Sequence, residues 1–99
     1  MMREKSTKVV LIVAPTVLAR AATLEAFGLD PSREGLRYID KAHSLRGWSR
    51  GTAYLAMNSG TWSTDRGIEL DRVLTALTRN GQLRIANERD LDQLKKGAA

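Results

Sequence analysis

The feature that most constrains this chain is an unbroken apolar run, Val-Val-Leu-Ile-Val-Ala, at residues 9–14. Successive side chains of a strand point to opposite faces, so a run without polar alternation predicts a strand that is buried on both faces. Such a strand is typical of the centre of a parallel sheet that helices cover on either side. Because a membrane helix needs about 20 apolar residues, this run is too short to span a membrane.

Turn and capping signals divide the rest of the chain into alternating helices and strands. Pro15 ends the first strand, Thr16 is a good N-cap, and Gly28 is a natural C-cap. We expect strands at 8–14, 36–39, 52–57 and 82–86, and helices at 17–27, 40–45, 66–79 and from 87 onward. This order predicts an α/β fold: a small three-layer domain with a mostly parallel four-stranded sheet and helices on both faces.

The same pattern predicts how the chain is organised. Residues 1–7 are largely polar and charged and predict a flexible basic leader, and residues 8–99 predict a single α/β domain. A cap at Asn87 is expected to start the last helix, and Trp48 is expected to cover the edge of the core. The apolar residues of the first helix are expected to form its buried face: Leu18, Ala21, Ala22, Leu24 and Phe27.

Composition narrows the chemistry that the domain can support. The chain has no cysteine and one histidine, His43, which excludes disulfides and argues against a zinc site, so we expect no metal and no cofactor. With 16 Lys and Arg against 11 Asp and Glu, the net charge is +5, which favours an anionic partner. A targeting segment is not expected either, which predicts a cytoplasmic protein.

The carboxyl edge of the sheet, where ligands bind in open parallel sheets, is the predicted functional surface. If the strand order is 2-1-3-4, the loops at 14–16, 40–48 and 58–65 share that edge. We expect a partner to contact this rim through Arg46, Arg50 and Trp62, with Lys41 and Asn58 beside them. Expected anion-binding residues are Thr16, Ser59 and Thr61. The alternative is a set of ordinary solvated loops, which are rich in the same residue types.

A nucleotide-hydrolysing site is not expected. A P-loop needs glycines, whose amides approach the phosphates, and a lysine that reaches the terminal phosphate. Here the first strand leads into Pro-Thr-Val-Leu at 15–18, without glycine or lysine, and Pro15 lacks an amide donor. We therefore expect no catalytic residue and no enzyme activity.

Two stretches and the overall layout of the chain resemble known families. The segment Val-Leu-Ile-Val-Ala-Pro-Thr at 10–16 resembles the V-x-x-A-P-T segment of helicase cores, and Ser-Leu-Arg-Gly-Trp at 44–48 resembles the stretch before the Walker B strand of phage terminase motors. The acidic pair of those motors is replaced by Met57-Asn58. The whole layout, with Leu-Arg-Tyr-Ile at 36–39 and Leu-Arg-Gly-Trp at 45–48, is similar to small α/β proteins of actinobacterial phages, which resemble stripped-down P-loop or Rossmann domains.

The resemblance implies a non-enzymatic phage accessory protein in the host cytoplasm that binds a bacterial host macromolecule and slows host growth. A second hypothesis, from the charge, is a basic accessory protein that binds nucleic acid through the carboxyl-edge rim. A third is a degenerate domain that binds a nucleotide or phosphate. The partner is thus a host protein or a nucleic acid, not a membrane, and a homo-oligomer is left open.

Overall fold

A computed structural model of the chain describes residues 9–32, 35–57 and 59–96. The predicted leader at 1–7 and the candidate residue Asn58 lie outside the described residues. The strands are β1 (Val10–Val13), β2 (Leu36–Ile39), β3 (Thr52–Leu55) and β4 (Leu83–Ile85). The helices are α1 (Val17–Ala26), α2 (Asp65–Arg79) and α3 (Glu88–Lys96), with short 3-10 turns at Ala42–Leu45 and Ser59–Thr61.

The four strands form one parallel sheet in the order β2-β1-β3-β4. Val10 of β1 aligns with Leu36 on one side and with Ala53 on the other, so β1 and β3 are the central strands. The predicted α/β class is confirmed, and the observed order is the one on which the predicted carboxyl-edge rim depends. The sheet is Rossmann-like, because the chain moves outward in both directions from β1 and the strand order reverses there.

Helix α2 covers one face of the sheet. Leu70, Leu74 and Leu77 are buried at intervals of three and four residues and pack in one cluster with Leu11 and Val13 of β1. Such spacing keeps a single stripe of a helix against a sheet, so the predicted amphipathic helix is confirmed.

Helices α1 and α3 cover the opposite face. Leu24 and Leu94 pack there with Val10, Ile12 and Ala53 of the two central strands. All four side chains of β1 are therefore buried, alternating between the two clusters, as the apolar run predicts.

The start of α3 is fixed by a reciprocal cap joined to an ion pair. The side-chain oxygen of Asn87 accepts from the Asp90 amide (3.0 Å), and the Asp90 carboxylate accepts from the Asn87 amide (2.9 Å). The guanidinium of Arg84, on β4, donates to both oxygens of the same carboxylate (2.7 and 2.9 Å). Asp90 is only 5% exposed, so its charge is buried but partnered. The predicted cap at Asn87 is confirmed.

The buried face of α1 differs from the predicted one. Leu18, Ala21 and Ala22 are exposed, and the buried residues of this helix are Thr23 and Leu24. Thr23 tolerates burial because its hydroxyl donates to the Ala19 carbonyl (2.9 Å). The prediction was wrong because α1 is apolar nearly all round, and the contacts with the sheet rather than the pattern select the buried stripe.

The helix predicted at 40–45 is shorter in the structure, a single 3-10 turn over Ala42–Leu45. Among the helices of the described ranges, none has the length and apolarity needed to cross a membrane.

Candidate functional site

All three helices begin at the carboxyl edge of the sheet, since each follows the end of a parallel strand or the loop after it. The Thr16 hydroxyl accepts from the Ala19 amide (3.1 Å) and caps α1, and the Thr64 hydroxyl accepts from the Gly67 amide (3.0 Å) and caps α2. Thr16 thus stands at the predicted edge, where its hydroxyl completes the first turn of a helix. Its predicted role in anion binding stays a prediction.

The loop after β3 places the other candidates at the same edge. Ser59 and Thr61 belong to the 3-10 turn, and Thr61 is exposed. Trp62 is half-buried and packs against the cluster beneath α2. Its Cβ lies close to Gly67, where an added methyl group would come within 2.7 Å of it. The indole is therefore partly a core side chain, and its predicted role at an interface stays a prediction.

A hollow of about 440 Å³ lies between the turn after β2 and the first turns of α2. Its lining residues are Lys41, Ala42, His43, Asp65, Arg66 and Glu69. Arg66 also forms an exposed ion pair with Asp40 (3.6 Å). Because charges of both signs line the hollow, its field does not favour an anion in the way that a uniformly basic cleft does.

Arg50 is not at the carboxyl edge, which corrects the predicted cluster. The connection between β2 and β3 crosses from the carboxyl edge back to the amino edge, because parallel strands must be entered from the same side. Gly51 immediately precedes β3, and its amide donates to the carbonyl of Gln82, which precedes β4 (2.8 Å). Arg50 therefore lies at the edge opposite Trp62. Arg46 is exposed within the crossover, after its 3-10 turn.

Trp48 helps to close the amino edge. Its indole N–H donates to the Ser44 carbonyl (2.9 Å), and its own carbonyl accepts from the Gln82 side chain (2.7 Å). It is half-buried and packs on the core, so the predicted role of covering the core is confirmed. A cavity of about 500 Å³ opens beside it, bounded by β1, β3 and α3.

Among the described residues, two of the four exposed large apolar side chains lie side by side on the outer face of α1. Val17 and Leu18 are 65% and 83% exposed, directly after Thr16 at the carboxyl edge, and the exposed Ala21, Ala22 and Ala26 continue the face along the helix. Seven of the ten residues of α1 are apolar, so periodicity alone could not show which of them face water. This surface was missed for that reason.

Tyr38 of β2 lies under a cation. The guanidinium carbon of Arg20 is 5.0 Å from the centre of the Tyr38 ring, a cation–π contact that holds α1 over the edge strand. Burial raises the pKa of the Tyr38 phenol above 10.0, and the nearby Asp40 carboxylate raises it further. Arg20 and Arg66 oppose the shift without cancelling it.

We expect the Tyr38 pKa to make the fold less stable at high pH. Well below pH 10.0 the phenol is neutral whether the chain is folded or unfolded, and as the pH rises through 10.0 the unfolded chain loses the proton first. The free energy of unfolding should therefore fall as the pH rises past 10. The phenolate absorbance of Tyr38→Phe is subtracted from that of the unaltered chain at each pH. The resulting titration curve should have its midpoint above pH 10.0, and Asp40→Asn should lower that midpoint. A midpoint at or below 10.0 would contradict the assignment.

Within the described ranges, no group of three His, Asp or Glu residues is placed to hold a metal ion. Comparison with protein-family models, with curated proteins and with solved structures found no match to this chain.

Proposed function

We propose that this chain is a non-enzymatic binding protein that engages a protein partner through the outer face of α1. The observation that carries the proposal is that a helix on the outside of the domain leaves two of its three large apolar side chains in water. Val17 and Leu18 are 65% and 83% exposed, whereas the residues that hold the helix to the sheet are Thr23 and Leu24. Exposed apolar surface of this kind is typical of sites that a partner covers.

The composition of the face favours a helix as the contacting element of the partner. Ala21 and Ala22 are adjacent, Ala26 follows Ala22 by four residues, and all three are small, so a second helix can approach closely along the stripe. Leu18 protrudes at its start and is suited to a pocket on the partner, as apolar residues are in helix-in-groove recognition. The resemblance to phage proteins supports a bacterial host protein as that partner.

The test compares two pairs of exposed apolar residues. We expect Val17→Ser with Leu18→Ser to reduce capture of the host protein by about tenfold or more, because the apolar contact that drives association is removed. Folding should be little affected, since exposed side chains contribute within about 0.5 kcal/mol to stability. Tagged chain would be expressed in an actinobacterial host, and captured proteins quantified after nuclease treatment.

The matched control is Ile68→Ser with Ile85→Ser, which removes apolar side chains that are 45% and 65% exposed outside α1. This control variant should still capture the host protein that the unaltered chain captures. The affinity of that protein for each variant is then measured with purified components. Equal capture by both variants, or loss of all captured material on nuclease treatment, contradicts the proposal.

A further inference from the structure

A shallow groove of about 600 Å³ lies on the outer surface of α2, on the side of the sheet opposite α1. Its lining residues are Arg72, Thr75, Ala76, Arg79 and Asn80. Small side chains form the floor between the two arginines, so an extended ligand can approach the helix surface there. None of these lining residues is acidic.

The two arginines are placed for a repeating anion. They are seven residues apart on one helix, which is two turns or about 10.5 Å along the axis. Neither forms an ion pair or a side-chain hydrogen bond with any residue in the described part of the chain. Glu69, three residues before Arg72 on the same helix, lines the separate hollow at the carboxyl edge and not the groove. Arg79 lies in the last turn of α2, where a cation is stabilised by the helix dipole. Arg72 lies in the middle of the helix and has no such structural role.

A third guanidinium stands at the end of the groove. Arg50 donates from Nη2 to the carbonyl of Asn80, one of the lining residues. Gly81, at φ +81°, leaves room for it, because a Cβ there would lie 2.9 Å from the same nitrogen. One hydrogen bond occupies one of five guanidinium donors, so Arg50 is positioned and still able to bind an anion.

We infer that this groove binds the phosphodiester backbone of duplex nucleic acid. Guanidinium groups pair with phosphate oxygens, and two guanidinium groups whose helix positions are about 10.5 Å apart can contact two different phosphates of one duplex. The hydroxyl of Thr75 and the amide of Asn80 are further groups of the kind that contact phosphates. Because no aromatic residue lines the groove, it offers no platform for unstacked bases, which favours a duplex over a single strand and backbone contact over sequence readout.

The test measures how binding of a labelled DNA duplex of about 20 base pairs depends on salt, by fluorescence anisotropy. Three neutralised phosphates predict a slope of log K against log salt near −2.7, which is about a 40-fold loss of affinity between 50 and 200 mM. Arg72→Gln with Arg79→Gln should reduce the slope to about −0.9, a loss of about fourfold over the same range. The control Arg37→Gln with Arg89→Gln removes the same charge from exposed positions outside the groove and should leave the slope unchanged.

Each other result overturns the inference. If the chain does not bind the duplex at 50 mM salt, the groove is not a duplex-binding site. If the salt slope changes equally in both variant pairs, the duplex is attracted by net charge alone. Tighter binding of a single strand than of the duplex contradicts the duplex assignment. Circular dichroism of every variant establishes that the fold is intact. Since α1 is unaltered in these variants, capture of the host protein is unaffected, and the two proposals fail independently.

Discussion

Replacing Asp90 with alanine is expected to lower the free energy of unfolding by about 2–3 kcal/mol. The Asp90 carboxylate accepts hydrogen bonds from both terminal nitrogens of Arg84 and from the Asn87 amide, and its removal breaks these contacts together. A fully buried pair would cost more, but the Arg84 side chain is 43% exposed and can recover water. Urea denaturation followed by circular dichroism measures the loss as a lower midpoint at unchanged slope.

Asp92 provides the matched control, because it is an exposed carboxylate on the same helix. Asp92→Ala should change the free energy of unfolding by no more than about 0.5 kcal/mol. Asp90→Asn keeps an acceptor for the Asn87 amide while removing the charge opposite Arg84, so its loss should be intermediate. If Asp90→Ala and Asp92→Ala proved equally stable, the cap and the ion pair would make no net contribution.

Gly67→Ala is expected to destabilise the domain by about 1–3 kcal/mol, even though alanine is the better helix former by about 1 kcal/mol. An added Cβ would lie 2.7 Å from the Trp62 Cβ and 3.1 Å from the Thr64 hydroxyl. The Trp62 Cβ is attached directly to the backbone and cannot rotate away, so the preceding turn or the start of α2 must move. Chemical denaturation gives the loss, and tryptophan emission should shift to longer wavelength as Trp62 becomes more exposed.

The control for this substitution is Gly60→Ala, in the 3-10 turn before Trp62. A Cβ at Gly60 would have no neighbour within 4 Å, so this variant should be nearly as stable as the unaltered chain. A Gly67→Ala chain as stable as the Gly60→Ala chain, or more stable, would show that helix propensity outweighs the close contact with Trp62.

Much of the fold could be predicted because strongly patterned segments have few alternative placements. The run at 9–14 admits a strand with two covered faces, and the leucines of α2 define one stripe at helical spacing. In both segments, the apolar side chains that form the sequence pattern are also the ones that bury the most apolar surface. Local pattern and tertiary packing therefore agree in these two segments.

The candidate surfaces were less predictable because polar segments carry no period. The connection at 40–51 begins at one edge of the sheet and ends at the other, and nothing in its composition marks where it turns. Arg50 was therefore expected at the wrong edge, whereas Lys41, near the start of the connection, was placed correctly. The groove between Arg72 and Arg79 arises from their spacing and from the small residues between them, and a charge pattern alone resembles an ordinary solvated face.

Helix α1 has few buried side chains, and this affects the dynamics of the domain. Three buried leucines of α2 pack in the cluster on the sheet, but only Thr23 and Leu24 of α1 are buried. Opening of α1 alone then exposes little apolar surface, so its amide protons exchange with solvent through local opening at a free energy below that of global unfolding. A partner that binds the closed helix stabilises it by mass action and slows that exchange. The stability of α1 is in this way coupled to occupancy of its outer face.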